Sequence, residues 1–138
     1  MKKQDLSPKL GAYSLVIALS ESQKLSIPRL GLPVLSAGLY IYCGSAYGTG
    51  GIATRVNRHL RRDKSAHWHI DHLTNSGRIV DVISWPNGSE CDIVNHLSKF
   101  HNSTPPIPGF GSSDCKQCIS PLLIIPANYH NRFDLSVN

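Results

Sequence analysis

The chain has 138 residues, which is enough for one domain with a modest hydrophobic core. Hydrophobic residues make up 41% of it and charged residues 17%, so the composition indicates a folded globular protein and excludes a disordered one. The formal net charge of +5 is compatible with nucleic acid as a partner but does not by itself indicate one. There is no signal-peptide pattern and no apolar run of about eighteen residues, so we expect a cytoplasmic protein with no membrane span and with reduced cysteines.

Two strands are predicted in the first third of the chain. The nearly continuous apolar run Gly11–Leu19 indicates a buried strand, and residues 39–43 indicate a second one. The connection between them contains prolines and glycines, and it predicts only a short strand or turn near residues 27–30. Because consecutive strands usually lie side by side, we expect an antiparallel pair that brings Tyr13 and Tyr42 within reach of each other.

A glycine-rich turn follows a predicted break at residues 44–46 and leads into a helix predicted at residues 52–62. Residues three, four or seven positions apart share one face of a helix, so this helix is expected to have a basic face and an apolar face. The expected basic face holds Arg55, His59 and Arg62, and the expected apolar face holds Ile52, Val56 and Leu60.

The second half of the chain is predicted to continue with a helix, a strand and a helix. The first of these helices is expected at residues 66–75, ended by a Ser-Gly pair, and the strand at residues 78–85. Ser89 is the expected N-cap of the other helix, Glu90–Phe100. Residues 120–125 are apolar enough to form a last strand or to pack on the core.

The element order β-β-α-α-β-α predicts an α+β fold with a small central three-stranded, mainly antiparallel sheet flanked by helices. Residues 11–104 form the expected core, and residues 105–138 form a C-terminal extension that is expected to pack on it. We therefore expect a single domain overall.

The stretch from residue 39 to residue 71 combines three features that suit a phosphate group. A strand that carries Tyr42 runs into the glycine-rich turn, and the turn leads into the basic helix. Arginine offers a planar fork of donors, histidine a proton carrier near neutral pH, and tyrosine a hydroxyl. Each feature alone has an ordinary explanation, since strand tyrosines often line a core, basic helix faces are usually solvated and glycines usually mark turns. Their order within one short stretch indicates a phosphate-binding site.

Specific motifs in this part of the chain resemble those of the GIY-YIG nuclease superfamily. Residues 11–13 (GAY) are similar to its first signature, residues 42–44 (YCG) to its second, and residues 55–59 (RVNRH) to its catalytic helix. Within the superfamily the chain resembles the small stand-alone Uri-type proteins through three further runs. These runs are GSA at residues 44–46, HWHID at residues 67–71 and GFGSSDC at residues 109–115.

The resemblance implies a metal-dependent DNA endonuclease that hydrolyses phosphodiester bonds. It implies that Glu90 holds one Mg²⁺ or Mn²⁺ ion, which are hard cations that prefer oxygen ligands. It also implies that an arginine of the catalytic helix binds the scissile phosphate. Arg55 is the expected residue for that role, and Arg58 is the alternative.

The resemblance implies a role in proton transfer for three further residues. Tyr13 and Tyr42 are expected to position or deprotonate the attacking water, and His59, one helical turn after Arg55, is expected to accept the proton. Other residues expected to contact nucleic acid are Ser45, Arg58, Arg61, Arg62, Lys64, His67 and His69.

Some of these residues also have plain structural explanations. Without the resemblance, Glu90 is an ordinary first-turn glutamate favoured by the helix dipole. His67 and His69 diverge by roughly 200° on a helix, so they do not share a metal ion, and a structural or DNA-facing role is favoured. A zinc site at Cys91, Cys115 and Cys118 is an alternative, but buried or simply adjacent thiols are favoured over it.

The main alternative function is a nucleic-acid-binding module that keeps the fold but does not cut. The chain has no separate segment for recognising a DNA sequence, so we expect the target to be structured or branched DNA, or to be chosen by a partner protein. The oligomeric state is left open by the sequence.

Overall fold

The structure is a computed structural model that describes residues 9–61, 69–100 and 122–125, with the backbone only for residues 98–100. The elements in chain order are β1 (Gly11–Leu19), β2 (Gln23–Lys24), a 3-10 turn (Pro28–Leu30), β3 (Val34–Leu35), β4 (Gly38–Ala46), α1 (Gly51–Leu60), α2 (His69–Ser76), β5 (Arg78–Pro86), α3 (Glu90–Phe100) and β6 (Leu122–Ile124).

The main sheet has the strand order β5-β1-β4-β6 in the described part of the chain, and every neighbouring pair is antiparallel. β1 lies between β4 and β5, which explains why its sequence is apolar almost throughout. The β1–β4 register places Tyr13 opposite Gly44 and Leu15 opposite Tyr42. A separate small ribbon pairs β2 with β3 within the connection between β1 and β4.

Helices cover both faces of the main sheet. Successive side chains of a strand point to opposite faces, so β1 and β4 each contribute to two apolar clusters. One face of the sheet packs on α1 and α2, and the other packs on α3. The first cluster includes Tyr13, Leu15, Tyr42, Ile52, Val56, Ile70 and Leu73, and the second includes Ala12, Val16, Ile41, Cys43, Ile93, Val94 and Leu97.

Two glycines at the start of α1 determine where that helix begins. Gly50, at the N-cap, has a φ of 85°, and Gly51 has a φ of 62°, a left-handed backbone that residues with a Cβ rarely adopt. The amide of Ile52 then donates to the carbonyl of Lys9 at 2.9 Å. This bond ties the start of α1 to the segment that enters β1.

The α+β class predicted from the sequence is confirmed, but the sheet has four strands rather than three. The fourth strand, β6, comes from the predicted C-terminal extension and pairs with residues 40–42 of β4. A three-residue apolar segment carries too weak a local signal to reveal such a long-range pairing. The break predicted at residues 44–46 is also wrong, because β4 continues to Ala46.

The helix limits agree closely with the sequence patterns. α3 has the predicted bounds, and its Ser89 Oγ accepts a hydrogen bond from the amide of Asp92 at 3.4 Å, as expected of an N-cap. α1 and α2 are described at Gly51–Leu60 and His69–Ser76, against predictions of 52–62 and 66–75. Of the helices in the described ranges, none has the length and apolar character needed to cross a membrane.

Candidate active site

Three aromatic rings predicted to take part in proton transfer meet between the sheet and α1. The ring centroids of Tyr13 and Tyr42 are 6.4 Å apart, and those of His59 lie 5.4 Å and 6.0 Å from the two tyrosines. The antiparallel pairing of β1 with β4 thus brings the two tyrosines together, as the sequence predicted. We call these three residues the Tyr–His cluster.

A short hydrogen bond joins two members of the Tyr–His cluster. The hydroxyl of Tyr13 lies 2.7 Å from Nε2 of His59, and both side chains are only 1% exposed. When the proton of the neutral imidazole is on Nδ1, Nε2 accepts a hydrogen bond from the Tyr13 hydroxyl. When a proton is on Nε2, that nitrogen donates a hydrogen bond to the Tyr13 oxygen. The pair can therefore exchange a proton directly, without a bridging water.

Gly44 makes room for this arrangement on the opposite strand. A Cβ at this position would lie 2.4 Å from both Cζ and the hydroxyl oxygen of Tyr13. The Tyr13 ring therefore lies directly on the backbone of β4, and no residue with a side chain fits there without displacing it. The sequence patterns assign Gly44 to a predicted break in the strand and to the YCG and GSA motifs, but they do not predict the contact with Tyr13.

The position of His59 corrects the predicted division of α1 into a basic face and an apolar face. His59 is buried with Ile52 and Val56, whereas Arg55 is half-buried and Leu60 is only partly buried. A spacing of seven residues is close to two helical turns, so His59 lies nearly in line with Ile52. The histidine belongs to the buried face of α1, and the basic surface of the helix begins beside it.

Arg58 points to a different neighbour from His59. Its Nη1 and Nη2 donate to Oδ1 and Oδ2 of Asp71 at 2.7 Å and 2.8 Å, so the pair is bidentate. Asp71 is completely buried in the first turn of α2, and 22% of the Arg58 side chain is exposed. The hydrogen bonds to Asp71 raise the pKa of Arg58 above its ordinary value, against the effect of burial. The pair joins α1 to α2.

Asp71 is a second residue whose importance the sequence did not reveal. It stood out only as part of the HWHID run, where it resembled a metal ligand at first sight. The signal that could have identified it is its position between Ile70 and Leu73, both fully buried, on the apolar side of a helix. An acid in that position needs a cationic partner, and the preceding helix is rich in arginine.

Glu90 lies at the same end of β4 as Gly44, but on the other face of the sheet. It is the first residue of α3 and is 6% exposed, and its Oε1 accepts a hydrogen bond from Ser45 Oγ at 3.3 Å. The N-terminus of a helix favours such a carboxylate. Because side chains alternate along a strand, Gly44 faces the Tyr–His cluster and Ser45 faces Glu90. The predicted proton-transfer groups and the predicted metal ligand therefore lie on opposite faces of the sheet, beside two adjacent residues of β4.

The outer surface of α1 carries a cationic cavity of about 440 Å³. Arg55, the residue expected to bind the scissile phosphate, lies on its wall. The described residues that line this cavity are Thr54, Arg55, Asn57, Arg58 and Arg61. Arginine, threonine and asparagine side chains all donate hydrogen bonds, so the wall suits an anion.

The remaining predicted nucleic-acid contacts are only partly covered by the structure. His69 is the half-buried first residue of α2. Arg62, Lys64 and His67 lie outside the described residues, as do Cys115 and Cys118. Within the described ranges, no group of three His, Cys, Asp or Glu residues is placed to hold one metal ion.

The two cysteines in the described ranges are in different states. Cys43 is buried and forms no disulfide, as predicted, but Cys91 is disulfide-bonded. The prediction that all cysteines are reduced is therefore wrong for Cys91, because residue spacing does not show which thiols the fold brings together. In the disulfide Cys91 has no thiolate to offer zinc.

A family model described as "Domain of unknown function DUF123" matches residues 12–137, which is nearly the whole chain. No curated protein and no solved structure matches the chain.

Proposed function

Since the chain belongs to the DUF123 family, whose name assigns no activity, we propose a function from the geometry of the site. The protein is a metal-dependent endonuclease of the GIY-YIG type that hydrolyses phosphodiester bonds in DNA. The observation that carries this proposal is the buried hydrogen bond of 2.7 Å between Tyr13 and His59. The GAY and YCG motifs supply both tyrosines of the cluster and Gly44, on which the Tyr13 ring packs, and they support the same proposal.

Proton transfer is the role of the Tyr–His cluster in this proposal. A free tyrosine has a pKa of about 10, so it serves as a base at neutral pH only when a proton acceptor or a cation lies beside it. His59 is such an acceptor, at hydrogen-bond distance from the Tyr13 hydroxyl. The ring of Tyr42 packs against both of these residues. The tyrosines orient the attacking water and His59 receives its proton.

Charge stabilisation on the phosphate is the role of Arg55. The sequence left Arg55 and Arg58 as alternatives, and we keep Arg55 as the expected residue. Both terminal nitrogens of Arg58 donate to the fully buried Asp71, and these two bonds hold the guanidinium group of Arg58 toward α2. Arg55 lies one helical turn before His59 and on the wall of the cationic cavity, which offers a place for a phosphate.

Glu90 is the residue that would hold the metal ion. Its carboxylate and the Ser45 hydroxyl provide hard oxygen donors at the end of β4, which fits Mg²⁺ or Mn²⁺. Mg²⁺ commonly binds through one or two carboxylates, with water and substrate phosphates completing its shell, so a single acidic residue is enough. When bound, the ion would stabilise negative charge on the phosphoryl and leaving oxygens.

A nucleic-acid-binding module that does not cut is the second candidate. The burial of the Tyr–His cluster favours it, since Tyr13 and His59 are 1% exposed and Tyr42 is 6% exposed, whereas the arginine-lined cavity is open at the surface. In this candidate the aromatic cluster is core and the arginines bind the backbone phosphates. Both candidates are compatible with targeting by DNA structure or by a partner protein, and with a cytoplasmic location.

Cleavage and binding assays on matched variants separate the two candidates. Purified protein is incubated with plasmid, branched and single-stranded DNA, with Mg²⁺, with Mn²⁺ or with chelator, and DNA binding is measured in parallel. Glu90→Gln removes the charge of the proposed metal ligand, and Asp92→Asn, at an exposed acid two residues later, is the control. We expect metal-dependent cutting by the wild type and the control, and binding without cutting by Glu90→Gln. Binding without cutting by all three proteins would favour the binding module.

A further inference from the structure

We propose that Asp71 is a positioning residue for the proposed cleavage, which acts by holding Arg58 so that α1 presents His59 to Tyr13. This inference rests on the proposed function, but its structural half can be tested without any nuclease activity. Asp71 accepts hydrogen bonds from Arg58 through both of its carboxylate oxygens. It acts through the residue that precedes His59 in the chain.

The bond between Asp71 and Arg58 has the features of a geometric constraint. Two parallel hydrogen bonds fix the plane of the guanidinium group and its distance from α2. Asp71 is fully buried, so water does not screen the pair as it screens a surface ion pair. The hydrogen bond of the Thr74 hydroxyl to the carbonyl of Asp71, at 3.5 Å, lies in the same buried turn of α2.

The constraint acts at the end of α1 that carries the proposed proton acceptor. The start of α1 is already tied to the segment before β1 through the bond between Ile52 and Lys9. Arg58 and His59 lie near the other end and are adjacent, so their side chains point about 100° apart. Arg58 reaches α2 while His59 reaches the sheet. Any rotation of the helix that loosens one contact therefore changes the other.

The required precision shows why such a constraint matters. Side-chain tips lie about 6 Å from a helix axis, so a rotation of α1 by about 10° moves the His59 ring by about 1 Å. The contact between His59 and Tyr13 is 2.7 Å, and a shift of that size breaks it. A misplacement of about 1 Å in a catalytic group can cost about 10²-fold in rate.

The charges around Arg58 agree with this arrangement. The hydrogen bonds to Asp71 are the main reason why the pKa of Arg58 is raised, and the charges of Asp71 and Tyr13 raise it further. Arg58 therefore lies close enough to Tyr13 for charge to act between the two side chains. An experiment must separate the effect of the position that Arg58 holds from the effect of its charge. Arg58→Lys does this because it keeps the charge and loses the planar fork of donors.

Three variants and two readouts test the proposal. Asp71→Asn keeps the size of the side chain but loses the charge and one acceptor, and Arg58→Lys loses the bidentate geometry. Thr74→Ala is the control, since it perturbs the same buried turn of α2 without touching Arg58. The readouts are single-turnover cleavage at saturating DNA and the ring nitrogen signals of His59 in ¹⁵N-histidine spectra, assigned by their loss in His59→Gln. Thermal unfolding confirms that each variant is folded at the assay temperature.

We expect cleavage by Asp71→Asn and Arg58→Lys to fall by about 10-fold to 10²-fold, and we expect Asp71→Asn to keep its DNA affinity within about twofold of the wild type. The His59 signals should change in both variants and remain in place in Thr74→Ala. Unchanged His59 signals in both folded variants would overturn the proposal, whether or not the wild type cuts DNA. If Asp71→Asn does not fold, Arg58→Lys decides alone. Changed His59 signals beside an inactive wild type would support the positioning role and reject the nuclease.

Discussion

Replacing Gly44 by alanine is a stringent test of the geometry of the Tyr–His cluster, because it places an atom where the Tyr13 ring lies. The added Cβ would lie 2.4 Å from the Tyr13 hydroxyl oxygen, where ordinary contact begins at 3.4 Å, so the ring must move by about 1 Å. Tyr13 is 1% exposed and packed on His59 and Tyr42, so it has no free space to move into. We expect Gly44→Ala to lower the free energy of unfolding by about 1–3 kcal/mol, as overpacking of a core does.

The effect of Gly44→Ala on cleavage should exceed its effect on stability. A shift of about 1 Å in Tyr13 breaks its bond to His59, and we expect the single-turnover rate to fall by about 10²-fold in protein that remains folded. Gly48→Ala is the matched control, because a Cβ there has no neighbour within 4 Å. Denaturant unfolding and cleavage of the best DNA substrate are measured for both. Wild-type cleavage by Gly44→Ala would refute the assigned role of the contact between Tyr13 and β4.

Three further variants test the roles assigned to charged residues. Arg55→Lys keeps the charge but loses the donor fork, so cleavage should fall by about 10²-fold while DNA affinity is retained. A normal cleavage rate would contradict the role of Arg55 at the phosphate. Arg61→Ala should weaken DNA binding and reduce the slope of log affinity against log salt by about 1, whereas Arg29→Ala, an exposed arginine of the 3-10 turn, should change neither. Equal slopes for these two variants would place the binding surface elsewhere. Asp71→Leu should lower stability by about 2–3 kcal/mol because it leaves the largely buried Arg58 charge without this carboxylate, and adding Arg58→Met should restore much of that stability. Cleavage should remain low in the double variant, since an apolar contact lacks the direction that two hydrogen bonds impose.

Local patterns in the sequence predicted the elements that bring the site together. The apolar run of β1 and the N-cap before α3 gave both elements their observed bounds. The antiparallel pairing of β1 and β4 predicted that Tyr13 and Tyr42 would meet, and their rings are 6.4 Å apart. These predictions succeeded because they depend on interactions between residues close in the chain, or on the pairing of strands that follow one another in the main sheet.

The parts that the sequence did not predict depend on contacts between distant residues. The pairing of β6 with β4 joins residues about eighty positions apart, and nothing local in residues 122–124 specifies it. The bond between Arg58 and Asp71 arises only once α2 packs beside α1. The burial of His59 was missed because its basic character was given more weight than its position in line with Ile52.

In the proposed function, the buried pair of Tyr13 and His59 is the catalytic centre of a metal-dependent nuclease. A double-mutant cycle on DNA cleavage tests it most directly, with Tyr13→Phe, His59→Gln and the combined variant measured under single-turnover conditions with Mn²⁺. Groups that act as one unit are not additive, so each single variant should lose cleavage by about 10²-fold to 10⁴-fold and the combined variant little more. DNA binding should persist in all three. Cleavage that survives in both single variants, or a wild type that cuts no DNA with any metal ion, would contradict the claim.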